Sequence, residues 1–150
     1  MITMIDYMKM LLKKCKGLWR KILFIIKSNF MDIYYYGVTR EQLENFLEYW
    51  RKYWLKRIVY EAERFDCEDF ACLFKAIFTW KTRSNSCLVL SVDVWLNKEF
   101  LGRHACNCVY LEDENKVILV EPQTAEILEE IDGKIMSYDG WEYRIEYVII

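Results

Sequence analysis

The chain has 150 residues, 54% of them apolar, 17% aromatic and 29% charged, with one proline, five glycines, six cysteines and one histidine. This balance excludes a disordered, collagen-like or low-complexity protein, and the length suits one domain that buries roughly 70% of its unfolded surface without help from metal or disulfides. A formal net charge of −2 provides no concentrated basic face of the kind phosphate binding needs, so no nucleic-acid partner is expected.

Residues 1–28 carry seven Lys/Arg against one acid, Asp6. Ile5, Met8, Leu12, Cys15, Trp19, Ile22 and Ile26 recur at alternating spacings of three and four, which predicts one basic amphipathic helix. Such a helix can pack on its own domain, pair with a second copy or lie on a membrane surface. The apolar run Ile22–Ile26 is too short for a signal peptide, and no stretch approaches the roughly 20 apolar residues of a transmembrane helix. A cytoplasmic protein is expected, its thiols reduced, with residues 1–28 as the element that would hold it to a membrane or to another copy.

Residues 29–150 read as a single α+β domain. Tyr34–Gly37 suit a linker or short strand. Thr39-Arg40-Glu41-Gln42 is a capping box that opens a helix running to about Arg64. A second helix spans Cys67–Trp80, with Phe70, Leu73, Phe74, Ile77 and Phe78 facing inward. After Arg83-Ser84-Asn85-Ser86 the apolar period becomes that of strands, predicted at Cys87–Leu96, Ala105–Leu111, Val117–Glu121 and Tyr143–Ile150. N-terminal helices followed by an antiparallel sheet define the α+β class.

Few residues can carry chemistry. Asp66-Cys67-Glu68-Asp69 puts a thiol in the first turn of a helix, where the partial positive charge favours thiolate and the acidic neighbours oppose it. The ordinary alternative is a buried, inert thiol. His104, the sole imidazole, stands at the start of a strand. If Glu112–Asn115 form a four-residue loop, Leu111 pairs with Lys116, Cys106 faces Glu121 and His104 faces Gln123. His104, Cys106 and Glu121 then share one face, with the His104–Glu121 diagonal at roughly 7–8 Å. A slip of one residue would move Glu121 to the other face.

A zinc site is the competing use of these side chains, because His104, Cys106 and Cys108 alternate along a strand and Cys67, Cys72 and Cys87 could add thiolates. Structural zinc sites instead favour cysteines paired two to four residues apart on turns. No metal and no cofactor are expected.

Cys67-Glu68-Asp69-Phe70-Ala71, His104-Ala105-Cys106-Asn107-Cys108-Val109-Tyr110 and Val120-Glu121-Pro122-Gln123-Thr124 together resemble the transglutaminase-like branch of the papain-like cysteine peptidases. The resemblance spans residues 60–125. It implies a papain-like or transglutaminase-like core, with Cys67 as nucleophile, His104 as base and Glu121 as the acid that orients it. Amide or acyl hydrolysis or transfer on a peptide or amide substrate follows. Gln123 and Gln42 are the candidate substrate or oxyanion contacts. Asp66 before the cysteine, Cys106 in place of an aromatic and Glu in place of Asp depart from the family pattern. A catalytically inactive binding or assembly module on the same core is the alternative.

Overall fold

The computed structural model describes residues 1–62 and 64–150. A two-residue strand β1 (Ile2–Thr3) leads into helix α1 (Met4–Lys14), and helix α2 (Leu18–Lys27) follows. Strand β2 (Tyr34–Tyr35) pairs with β1, with Ile2 opposite Tyr35. Helices α3 (Arg40–Trp50) and α4 (Cys67–Thr82) come next, then six strands: β3 (Cys87–Leu96), β4 (Glu99–Leu111), β5 (Lys116–Glu121), β6 (Glu126–Ile131), β7 (Lys134–Met136) and β8 (Glu142–Val148).

The six strands close into an antiparallel barrel in sequence order, β8 returning to pair with β3. The core fills both sides of its wall. Inside lie residues from all six strands, among them Leu90, Cys106, Leu119, Leu128, Ile135 and Ile145, with Tyr7 and Leu11 of α1 packed among them. Outside, Val109, Leu111 and Val120 meet Leu43, Phe46 and Trp50 of α3 and Phe70, Phe74 and Phe78 of α4. The period-2 alternation of β4 and β5 thus serves two apolar layers, which explains why nearly every residue of these strands beyond Ala105 is buried.

The expectation of a papain-like or transglutaminase-like α+β core is corrected here. Helices do precede antiparallel strands, but the sheet is a closed six-stranded barrel. Alternation along a strand states which face a side chain takes and not which strand lies beside it, so the pairing of first with last strand was invisible locally. Register shifts at Val94/Trp95 and Ser91/Val92 mark where β3 bends, and such bulges add the twist that closure needs. Two closing strands were also absent from the sequence reading. Asp132 and Gly133 join β6 to β7 with φ of 49° and 67°, the left-handed pair of a tight hairpin turn.

The N-terminal segment forms two helices rather than one. The chain is extended at Cys15 (φ −78°, ψ 126°), and Gly17 takes φ 84°. That value suits a glycine and interrupts the helix. The helix from Thr39 also stops early. Its capping box is formed as expected, Thr39 accepting from the Gln42 amide and Gln42 from that of Thr39, but beyond Trp50 it widens into a π-helical turn (Arg51–Leu55) and ends. No helix among the described residues is long and apolar enough to cross a membrane.

Candidate functional site

The site lies at the barrel rim, where the start of α4 meets the beginning of the buried part of β4. Asp66 caps α4. Its carboxylate accepts from the Glu68 amide at 3.2 Å, and Asp69 accepts from the Asp66 amide at 3.3 Å. This fixes Cys67 in the first turn, half-buried, beside the small cluster of Ala71, Val89 and Ala105. Asn107 ties this helix to the wall, donating to the carbonyls of Ala71 (3.0 Å) and Leu88 (3.3 Å).

Strands β4 and β5 meet in the register that a four-residue turn dictates. Leu111 pairs with Lys116 and Asn107 with Val120, so Glu121 falls opposite Cys106, on the face of His104. Within this face Nε2 of His104 and Oε2 of Glu121 are 2.7 Å apart. Glu121 is 5% exposed. A buried carboxylate is costly unless its oxygens are satisfied. Here Tyr143 donates to Oε2 at 3.2 Å and the Gln123 backbone amide to Oε1 at 3.1 Å. The turn that carries that amide is held from outside, since the indole N–H of Trp50 donates to the Pro122 carbonyl at 2.8 Å.

Cys67 is close enough to the His104 ring to act on its charge. Burial opposes the charged imidazole, but the neighbouring Cys67 and Glu121 outweigh that and hold its pKa at about 9. The thiol also contacts Glu68 Oε2 at 3.3 Å. Beside the site, burial pushes the Tyr143 phenol and the Cys106 thiol far up, so both stay protonated. Chemically, the group can pass a proton between sulfur and imidazole while the carboxylate fixes the ring, and it can offer one charged donor and one thiol to a ligand at the rim.

The structure thus brings together Cys67, His104 and Glu121. Gln123 joins them through its backbone. Gln42 does not, because its side chain caps α3, next to the β4–β5 turn, where Arg40 meets Asp113 and Glu114. That is the far end of β5 from Glu121, about 17 Å away at strand rise. The zinc constellation is not assembled either. His104 and Cys108 are four residues apart on one strand, roughly 13 Å, and Cys106 and Cys108 are sealed in the barrel. Asp66, Cys67 and Glu68 place one donor atom each within 4.8 Å of one another, a set with mixed oxygen and sulfur character.

Three contributors escaped the sequence reading. Tyr143 belongs to the closing strand, and its approach to Glu121 depends on the barrel. Asn107 and Trp50 look like strand and helix core until their partners are known; the polar asparagine inside an apolar strand was the one available signal.

A small closed barrel with helices packed outside and a polar cluster at its rim is the class of domain defined so far. The model of the ricin-type beta-trefoil lectin C-terminal domain matches residues 13–137, and the chain belongs to that family. No curated protein matches the sequence. Among solved structures, the one described as a PSL1a-E64 complex superposes with a TM-score of 0.65 at 24% identity, covering 98% of this chain and 50% of that one. A second, Polyporus squamosus lectin bound to a human-type influenza-binding epitope, Neu5Aca2-6Galb1-4GlcNAc, gives 0.49 at 25% identity, covering 67% of this chain and 37% of that one. The chain therefore spans about half the length of the structures it resembles.

The family match overturns the transglutaminase-like and papain-like resemblance. The activities that resemblance implied fall with it, namely cysteine peptidase, amidase or acyltransferase chemistry on a peptide or amide substrate through a catalytic triad. So does the transglutaminase-like identity of the alternative module, although a binding role is nearer to a lectin family than hydrolysis is. The three motifs are short, and short motifs recur on unrelated scaffolds.

Proposed function

We propose that this domain binds a saccharide-type ligand as part of a lectin-family protein, at the barrel rim around Cys67, His104 and Glu121. The observation that carries the reading is the satisfied, buried Glu121 that holds His104 charged at the surface edge of an otherwise apolar barrel. Nothing in the packing of the barrel requires that arrangement, and an apolar set of the same volume would stabilise the fold as well. Family membership supports a glycan as the ligand class. The partly accessible imidazolium donates to a hydroxyl or carboxylate of the ligand, with Cys67 and the turn that carries the Gln123 amide beside it.

The test is capture of a panel of immobilised glycans by the chain itself, followed by titration calorimetry on the best ligand. His104→Gln and Glu121→Gln should each weaken binding about tenfold or more, the scale of a lost charge-assisted hydrogen bond. Retention of no glycan, or equal affinity in both variants, overturns the proposal.

A further inference from the structure

Helix α2 is inside out. At 100° per residue, Leu18, Trp19, Ile22 and Ile26 form one face, with Leu23 and Ile25 on its shoulders. In an ordinary surface helix this face packs on the core. Here it points to solvent: Trp19 is 78% exposed, Leu18 74% and Ile26 73%, and Phe24 is the only α2 residue fully buried. The inward contacts are partly made by the cations. Arg20 pairs with Asp93 at 2.9 Å, and the Lys27 ammonium sits 5.5 Å from the centre of the Tyr147 ring. The break at Gly17 produces this inversion by turning outward the stripe that Ile5, Met8, Leu12 and Cys15 begin.

A soluble monomer rarely presents so many large apolar side chains together, so something covers them. Charge decides what. Residues 1–28 hold seven cations and one acid, and Lys16 and Lys21 are exposed beside the apolar face. A two-fold pairing of α2 with a second copy would set these like charges against each other, because such an interface meets itself. An anionic lipid surface accepts both parts at once, the apolar side chains entering the acyl boundary and the lysines meeting phosphate and carboxylate headgroups.

We propose that α2 is an interfacial anchor that lies in the plane of an anionic bilayer with Leu18, Trp19, Ile22 and Ile26 inserted. It leaves the rim site on its own strands, so glycan binding and anchoring are separate properties and fail separately.

Co-sedimentation with vesicles of phosphatidylcholine containing about 30% phosphatidylserine tests this on the full chain. The protein should pellet with these vesicles, release as salt rises from about 0.05 to 0.5 M, and stay in solution with phosphatidylcholine alone. Ile22→Glu with Ile26→Glu, both solvent-exposed and so compatible with folding by circular dichroism, should cut partitioning about tenfold or more. Lys16→Glu with Lys21→Glu should weaken binding to anionic vesicles. No pelleting with anionic vesicles overturns the proposal, as does equal pelleting of the isoleucine variant. A wild-type dimer that the same variant turns into a monomer, with neither protein binding vesicles, assigns the face to a second copy and also overturns it.

Discussion

His104 and Glu121 stand 17 residues apart in sequence and 2.7 Å apart in space, joined by the register of one hairpin. Among the described residues the carboxylate accepts hydrogen bonds from this ring, the Tyr143 hydroxyl and one backbone amide. The ring in turn is the only imidazole in the chain. The pair has a thermodynamic signature of its own.

A His whose folded pKa is raised from 6.5 to about 9 binds its proton more tightly in the native state. Its contribution is fully present below pH 6.5, where both states are protonated, and disappears as pH rises through 9. The shift corresponds to about 3 kcal/mol at most. Wild-type unfolding free energy, measured by urea titration from pH 6 to 10, should therefore fall more steeply than that of His104→Gln. Cys67→Ala should reduce the difference, since the thiol is one of the groups that raise the ring. Parallel profiles for wild type and His104→Gln would show that the ring is not held charged.

Cys67 should be the thiol that a small alkylating agent reaches first. It is half-buried at a helix start beside an imidazolium, whereas Cys87, Cys106 and Cys108 are sealed in the core and burial lifts their pKa values, that of Cys108 to about 12. Cys72, though partly accessible, is also raised by burial and by Asp69 and Glu68. With limiting iodoacetamide, sulfur displaces iodide to give a thioether, and peptide mass mapping should place most of the adduct on Cys67. His104→Gln should slow the reaction by about a hundredfold, the low end of what a paired base contributes. Preferential modification of Cys72 would remove Cys67 from its special place.

Local chemistry was legible in the sequence wherever it depended on neighbours a few residues away. The Thr39/Gln42 box, the Asp66 cap and the β4–β5 register all rest on short spacings, and the last of these placed Glu121 on the face of His104. Contacts made by closure were not legible. Tyr143 reaches Glu121 only because β8 returns to β3, and no alternation in either strand encodes that return. Trp19, Ile22 and Ile26 mislead in the opposite way, since their spacing continues that of α1 while a single glycine with positive φ turns them to solvent. The fold family was hidden by three short motifs that suit a thiol enzyme and sit here on a lectin-family barrel.

Trp50 tests whether the turn after β5 is held in place or merely covered. Its indole donates to Pro122, the residue between Glu121 and the Gln123 amide that satisfies it. The ring is fully buried, against Phe46, Trp54 and Phe74. Trp50→Phe keeps much of the apolar contact, removes the donor and leaves the Pro122 carbonyl without its partner, a loss of about 1–3 kcal/mol with a small cavity besides. Thermal unfolding should register that loss. The sharper readout is the His104 ring by NMR titration: if the turn is positioned through this bond, Glu121 is less firmly held and the histidine pKa should drop from about 9 toward 6.5. A destabilised variant with an unchanged His104 titration would confine Trp50 to packing.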